Sequence, residues 1–487
     1  MAFRFTCIGL LALSLYIAAV EGNCCSVNES RLWSRNVQGL LPSAAEWLKP
    51  VLGYKFYLPE INLKGSMGYL GSSIRLRQFT SDLLSGSRPL RVGVVGGSIS
   101  VGEGSSRRHV TDWFSVFSNW LGSIAKANVT FVNGAVAGTP SSYMAMCLNV
   151  HLPRDMDLVF LEYVWNDLYQ DRLINNQVVM NMERLIRRIL NFPRRPAVVL
   201  MQVAIVGDHM ETAPFYRTSE DLEGALAAFY DASYLSMRNA LYPLAVMHPT
   251  AGYSWNETFI NHHPGDAGHK IMADMAAYMI QQAAISIVLN PISYPELSVH
   301  SLPLAAPMYP GNEIPPGVVC SSGRSFTEHV LSNLGWEWRN EGTPWKPKWG
   351  FVTYTPGSKL TLRVNTLRPA IDPTARIPVL IHYLSSYDKM GTALLTCSAG
   401  CVCDPKEVDA TSERRVSQVF FAQIKASQSE TCDVTVTLLQ KTSSGGYHFK
   451  VSGVVVSASD VIDSIFFVEE IYAKRNESKA LLNEGAR

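Results

Sequence analysis

Four short apolar runs constrain this chain more than anything else in it: residues 92–95, 129–132, 158–161 and 197–203. Each is continuous rather than alternating, as strands covered on both faces are. Helical spacing appears between and after them. In 178–190, Val178, Val179, Met182, Leu185, Ile186, Ile189 and Leu190 share one face, with Glu183, Arg184, Arg187 and Arg188 opposite. From Ala267 to about Ile287, with Asp266 as the expected cap, Ile271, Met272, Met275, Met279 and Ile280 fall at core spacing. Alternating strands and helices predict a parallel sheet between two helical layers. The first run ends at Gly96-Gly97-Ser98, which puts a serine at the carboxyl edge of the sheet. Open α/β sheets keep their sites on that edge.

A chain of 487 residues exceeds what one hydrophobic core organises, and 47% apolar residues allow two. Residues 23–89 show no clear period and read as an irregular N-terminal extension ahead of an α/β domain at 90–290. Seven prolines between Pro291 and Pro316 mark 291–318 as a linker. Beyond it, β-branched and aromatic runs at 351–354, 360–364, 379–383, 416–424, 434–439 and 451–456 are separated by turn residues. They predict an all-β sandwich over 319–487.

Arg4 followed by an apolar run over 8–20 and small residues near Gly22 reads as a signal peptide, 1–22, too short for a comfortable membrane span. A retained signal anchor is the alternative. Cleavage leaves no stable membrane span and places the protein outside the cell or in the endomembrane lumen. It also leaves eight cysteines: Cys24, Cys25, Cys147, Cys320, Cys397, Cys401, Cys403 and Cys432. An even count behind a leader favours disulfides, and neither spacing nor compartment favours zinc at Cys397-x₃-Cys401-x-Cys403. Sequons at Asn28, Asn128, Asn256 and Asn476 fit the same route. Lys+Arg 42 against Asp+Glu 41 offers no surface for nucleic acid.

Three phosphate, dinucleotide and nucleophile motifs fail around Ser98. Glu103 stands where a P-loop needs lysine, Arg107 interrupts the dinucleotide fingerprint, and Ser100 replaces the second glycine of a nucleophile elbow. Three further segments then converge with Ser98. Asn133-Gly-Ala-Val-Ala-Gly138 follows the second strand and brings a glycine N–H close to a reacting group. Glu162-Tyr-Val-Trp-Asn166-Asp follows the third, and Asn261-His-His263-Pro-Gly-Asp-Ala-Gly-His269 precedes the final helix.

These four blocks, in this order, resemble the SGNH (GDSL-type) esterase and acyl-hydrolase family, over about residues 90–287. The first block reads Gly-Gly-Ser where Gly-Asp-Ser is commoner. The resemblance implies a flavodoxin-like three-layer α/β/α fold. It also implies Ser98 as nucleophile, His263 as general base, and the Ser98 N–H, Gly138 and Asn166 as oxyanion-hole donors. The C-terminal stretch more weakly resembles β-domains appended to secreted SGNH-like proteins of plants, algae and fungi. Its aromatic clusters, 335–338, 345–349 and 383–387, suit either sugar stacking or a sandwich core.

The implied chemistry is acyl transfer through serine. The imidazole takes the hydroxyl proton and returns it to the leaving alcohol. Neither a metal nor an organic cofactor is needed. The family places an aspartate three residues before its histidine, and here Ile260 stands there. A backbone carbonyl, Asn261, Glu257 or Asp266 are the candidates to replace it, giving a Ser–His dyad or a relocated acid. The following helix N-terminus disfavours imidazolium. His262 reads as solvent- or substrate-facing and His269 as a packing or capping residue. Glu162 and Asp167 read as structural acceptors. The expected activity is removal of an acyl group, O-acetyl above all, from a polysaccharide, glycan or other small ester. An O-acyltransferase using the same pair, or a catalytically silent glycan-binding or wall-associated protein, are the alternatives.

Overall fold

The computed structural model describes residues 44, 46–167, 176–203, 218–244, 258–260, 263–313, 317–343, 347–412 and 417–457. The signal segment, Cys24, Cys25 and three of the four sequons lie outside them. Two compact units are present, Met1–Tyr54 and Lys55–Arg487. In the first, residues 46–52 are helical. The second holds both the α/β layer and the sandwich.

Among the described residues the α/β layer has six strands: β1 (Met67–Tyr69), β2 (Leu90–Gly96), β3 (Val129–Asn133), β4 (Leu158–Glu162), β5 (Ala197–Gln202) and β6 (Ser233–Ser236). Their order is β1-β6-β5-β4-β2-β3. All neighbours are parallel except β1, which runs antiparallel to β6 at one edge. Every residue of β4 and β5 is buried, which is why those strands read as unbroken apolar runs. The longer helices are α1 (Ile74–Ser85), α2 (Trp113–Ile124), α3 (Ser141–His151), α4 (Gln177–Leu190), α5 (Glu220–Tyr230) and α6 (Asp266–Leu289). Helix α6 packs on α1 and α2, and α4 on α3 and α5, giving the two outer layers. Helix α6 is long and apolar enough to cross a membrane, but 72% of its most apolar window is buried inside the protein.

Three details differ from the sequence reading. Residues 60–85 are not irregular: Glu60–Ser66 is a helix and α1 buries Leu76, Phe79, Leu83 and Leu84 at helical spacing, interrupted to the eye by Arg75 and Arg77. The charged side of α4 is not solvated, since Glu183, Arg184 and Arg187 are buried. The proline-rich stretch covers that side, with Arg187 donating to Ala305 O at 2.6 Å and Asn312 Nδ2 to Met180 O at 2.9 Å. Glu183 takes the N–H of Met308, the Asn312 amide and the Tyr230 hydroxyl. Over 302–313 the linker is therefore a strap bound to the domain.

Among the described residues the sandwich has eleven strands. They are β7 (Val319–Ser322), β8 (Val330–Leu334), β9 (Glu337–Asn340), β10 (Trp349–Thr353), β11 (Lys359–Val364) and β12 (Ile377–Ser385), followed by β13 (Thr392–Ala399), β14 (Lys406–Asp409), β15 (Gln418–Ala426), β16 (Cys432–Leu438) and β17 (Phe449–Val456). One sheet runs β15-β12-β17-β10-β9 with β7 on β17, and the other β14-β13-β16-β11-β8. Leu360, Leu362, Val434, Val436, Ile381 and Val451 meet between the sheets. Leu380, Phe421 and Val455 point the other way and join Tyr143, Leu148 and Leu190 in a core shared with the α/β layer. A disulfide between Cys147 of α3 and Cys320 of β7 closes this junction, and Cys397–Cys403 and Cys401–Cys432 staple one end of the sandwich.

Candidate active site

Strand β2 stops at Gly96, and Ser98 opens a single helical turn, Ser98–Val101. Gly97 N donates to Glu162 O at 3.2 Å, holding the turn against the end of β4. The Glu162 carboxyl reaches under the same turn and accepts from Ser100 N at 3.2 Å and Ser100 Oγ at 3.0 Å. Burial pushes this carboxyl up to about 8, only partly offset by the Ser100 and Gly97 donors, so it is largely protonated at neutral pH.

His263 is delivered from the opposite direction. Phe259 and Pro264 form an antiparallel bridge, Ile260 N donates to His263 O at 3.0 Å and Gly265 N to Thr258 O at 2.7 Å. These bonds hold His263 just ahead of α6. Its Nε2 lies 2.8 Å from Ser98 Oγ. Ile260, in the place of the expected aspartate, is 64% exposed. Among the candidates for a relocated acid, Asp266 gives its oxygens to Ser106 and Thr111, and it does not cap its own helix. Burial raises the Asp266 carboxyl, but the Ser106 and Thr111 donors outweigh that and hold it below its ordinary value. Glu257, Asn261 and His262 lie outside the described residues.

Asn166 belongs to the turn Val164–Asp167 that follows β4. Its side chain rests on Gly97 so closely that a Cβ there would run into Asn166 Oδ1. Gly138 has φ +75°, a conformation that favours glycine, in the loop leaving β3. That loop is pinned by Gly134 N to Val94 O, Val136 N to Gly96 O, and Asn133 Nδ2 to Ser100 O. Its far end is tied to the Asn166 turn by Ser141 N donating to Asp167 Oδ1 at 2.6 Å. Burial, with the Glu223 and Glu162 carboxyls nearby, pushes Asp167 well above the usual carboxylate range. The four sequence blocks thus meet at one edge of the sheet, with Ser98 and His263 in hydrogen-bond contact and Gly138 and Asn166 on the two flanking loops.

No protein-family model matches the sequence, and no curated protein matches it either. Solved structures do match the fold. A two-domain esterase (CEX) active on acetylated mannans is 17% identical, with a TM-score of 0.61 over 82% of this chain and 99% of that one. This is the SGNH hydrolase fold. The CEX structure co-crystallised with mannopentaose gives a TM-score of 0.60 over 83% of this chain and 99% of its own. An SGNH fold accounts for the position of Ser98 and for the parallel order of β2 to β6, and the coverage shows that the likeness includes the second, β-rich part.

Two further residues at the candidate site act as the structural acceptors that the sequence predicts. Glu162 and Asp167 each hold the backbone of a site loop, and the signal available was only their placement at the end of β4 beside Asn166. Tyr163 is buried and belongs to the core. Of the sandwich aromatics, Trp336 and Tyr383 are core, while Trp349 stacks on Trp338 at 5.8 Å and is 46% exposed, and Tyr387 is 51% exposed.

Proposed function

We propose that this chain is a secreted serine ester hydrolase that removes acyl groups, O-acetyl above all, from a polysaccharide or glycan. The observation that carries the reading is the 2.8 Å contact between Ser98 Oγ and His263 Nε2 at the carboxyl edge of the sheet. Ser98 Oγ attacks the acyl carbon while its proton passes to His263 Nε2. The oxyanion of the tetrahedral intermediate takes hydrogen bonds from the Ser98 and Gly138 N–H groups and the Asn166 amide. Collapse breaks the bond to the sugar oxygen, which leaves with the proton from His263. Water then repeats the sequence on the acyl-serine and releases the acid.

The likeness in fold to an esterase active on acetylated mannans, across both parts of the chain, supports a carbohydrate ester as substrate. Three disulfides among the described residues agree with an oxidising compartment. The test is a serine-directed fluorophosphonate probe together with acetate release from acetylated polysaccharide. Wild type labels and releases acetate, and Ser98→Ala does neither. Equal labelling and release by Ser98→Ala refutes the reading. Transfer of acetyl to a sugar acceptor in place of acetate release assigns the same pair to an acyltransferase.

A further inference from the structure

The mechanism makes no use of residues 102–112, the loop between the Ser98 turn and α2, yet it is bound on both sides. Toward Ser98, Gly102 N donates to Ile99 O at 2.9 Å and Glu103 N to Ser98 O at 3.0 Å. Toward α6, Glu103 O lies 3.0 Å from His269 Nε2, and Trp113 N donates to His269 Nδ1 at 3.2 Å. These partners have opposite demands. A carbonyl needs a donor and an amide needs an acceptor, so the ring is the neutral Nε2–H tautomer, spanning both ends of the loop. His269 is fully buried, and burial holds it below the ordinary imidazole value, in keeping with that form.

The same loop touches the base directly. Gly104 has φ +87°, and a Cβ there would run into Pro264 O and come within 3.0 Å of His263 Cβ. His269 stands six residues beyond His263, joined to it through Pro264, Gly265 and the first turn of α6. The chain of contacts therefore closes on itself: Ser98 O to Glu103 N, Glu103 O to His269, then back along α6 to His263, whose Nε2 meets Ser98 Oγ.

We propose that His269 is a positioning residue that, with Gly104 as its contact on the base, sets the separation of Ser98 and His263. The proposal rests on the esterase reading of that pair. Removing the imidazole takes the His269 bonds from Glu103 O and Trp113 N, but it leaves the apolar face of α6, with Ile271, Met272, Met275 and Met279, fully packed. A misplacement of about 1 Å between reacting groups costs on the order of 10²-fold in rate.

The experiment compares wild type, His269→Ala, His269→Gln and Gly104→Ala in steady-state hydrolysis of an aryl acetate, with crystal structures of wild type and His269→Gln, and of His269→Ala where it folds. Glutamine offers one donor and one acceptor. Expected are a drop in kcat of about 10- to 100-fold for His269→Ala and Gly104→Ala with KM within about twofold, and recovery of most of it in His269→Gln. Wild-type kcat in either His269→Ala or Gly104→Ala overturns the proposal, as does a KM effect alone. If His269→Ala does not fold, the Gly104→Ala kinetics decide. If wild type hydrolyses no ester, the esterase reading has failed, and the brace is judged from the structures alone. Glutamine bonded to both Glu103 O and Trp113 N, with the Ser98–His263 contact kept, upholds it. That contact kept with glutamine bonded to neither overturns it.

Discussion

Ser98 Oγ and His263 Nε2 lie 2.8 Å apart although 165 residues separate them in the chain. Residues that act as one unit lose activity non-additively. We expect Ser98→Ala and His263→Ala each to lower kcat on an aryl acetate by at least about 10³-fold, and the double variant to be scarcely worse than either. Multiplicative losses in that cycle would show that the two do not act together.

Asn166 and Gly97 give a second cycle. Removing one oxyanion donor costs about 10² to 10³ in kcat, so Asn166→Ala is expected to fall in that range with KM little changed. In Gly97→Ala the new Cβ must displace the Asn166 side chain. Its loss should match that of Asn166→Ala, and combining the two should add little. Wild-type kcat in Gly97→Ala would remove Asn166 from the proposed oxyanion hole.

Glu162 links the site to pH. Its carboxyl is raised from 4.5 to about 8, so between those values the folded state holds a proton that the unfolded chain releases. The group's contribution is therefore fully present below about 4.5 and is lost as pH rises through about 8. Glu162→Gln keeps an acceptor for Ser100 and removes the titration. Denaturant titrations should show wild type losing on the order of a few kcal/mol of stability between pH 5 and 8 relative to the variant. Parallel profiles would reject the assignment.

The Cys147–Cys320 bridge closes a separation of 173 residues. Replacing both cysteines by serine is expected to lower unfolding stability by about 2 to 5 kcal/mol, measured by guanidinium titration under oxidising conditions. An unchanged midpoint would mean that the shared core alone holds the two parts together.

Trp349 and Tyr387 present exposed rings on the sandwich. If that part engages glycan, Trp349→Ala and Tyr387→Ala should weaken retention on immobilised acetylated polysaccharide while leaving aryl acetate turnover as it was. Retention equal to wild type in both would assign these rings no such role.

Much of this was legible in the sequence where a single element carries its own evidence. β2, β4 and β5 are buried on both faces and read as apolar runs, the Ser98, Gly138 and Asn166 blocks follow the ends of β2, β3 and β4 in order, and the His263 block precedes α6. What escaped depends on partners distant in the chain. Nothing local says that Glu183 and Arg187 are buried, because the strap that covers them lies more than 100 residues away. Strands β1 and β6 are three and four residues long, too short for a period to register. The pairing of Cys147 with Cys320 follows from packing and not from spacing. Glu162 looks like any acidic residue until its depth beneath Ser100 is known.

The core shared by α3 and the sandwich also bears on how the molecule is made. Tyr143, Leu148 and Leu190 are synthesised long before Leu380, Phe421 and Val455, which complete their packing. A nascent α/β layer emerging first exposes an apolar flank and one thiol until the final strands leave the ribosome. Packing of the finished protein is thus completed only by its last strands, and a chain cut short before β17 would leave the layer bearing Ser98 without part of its cover.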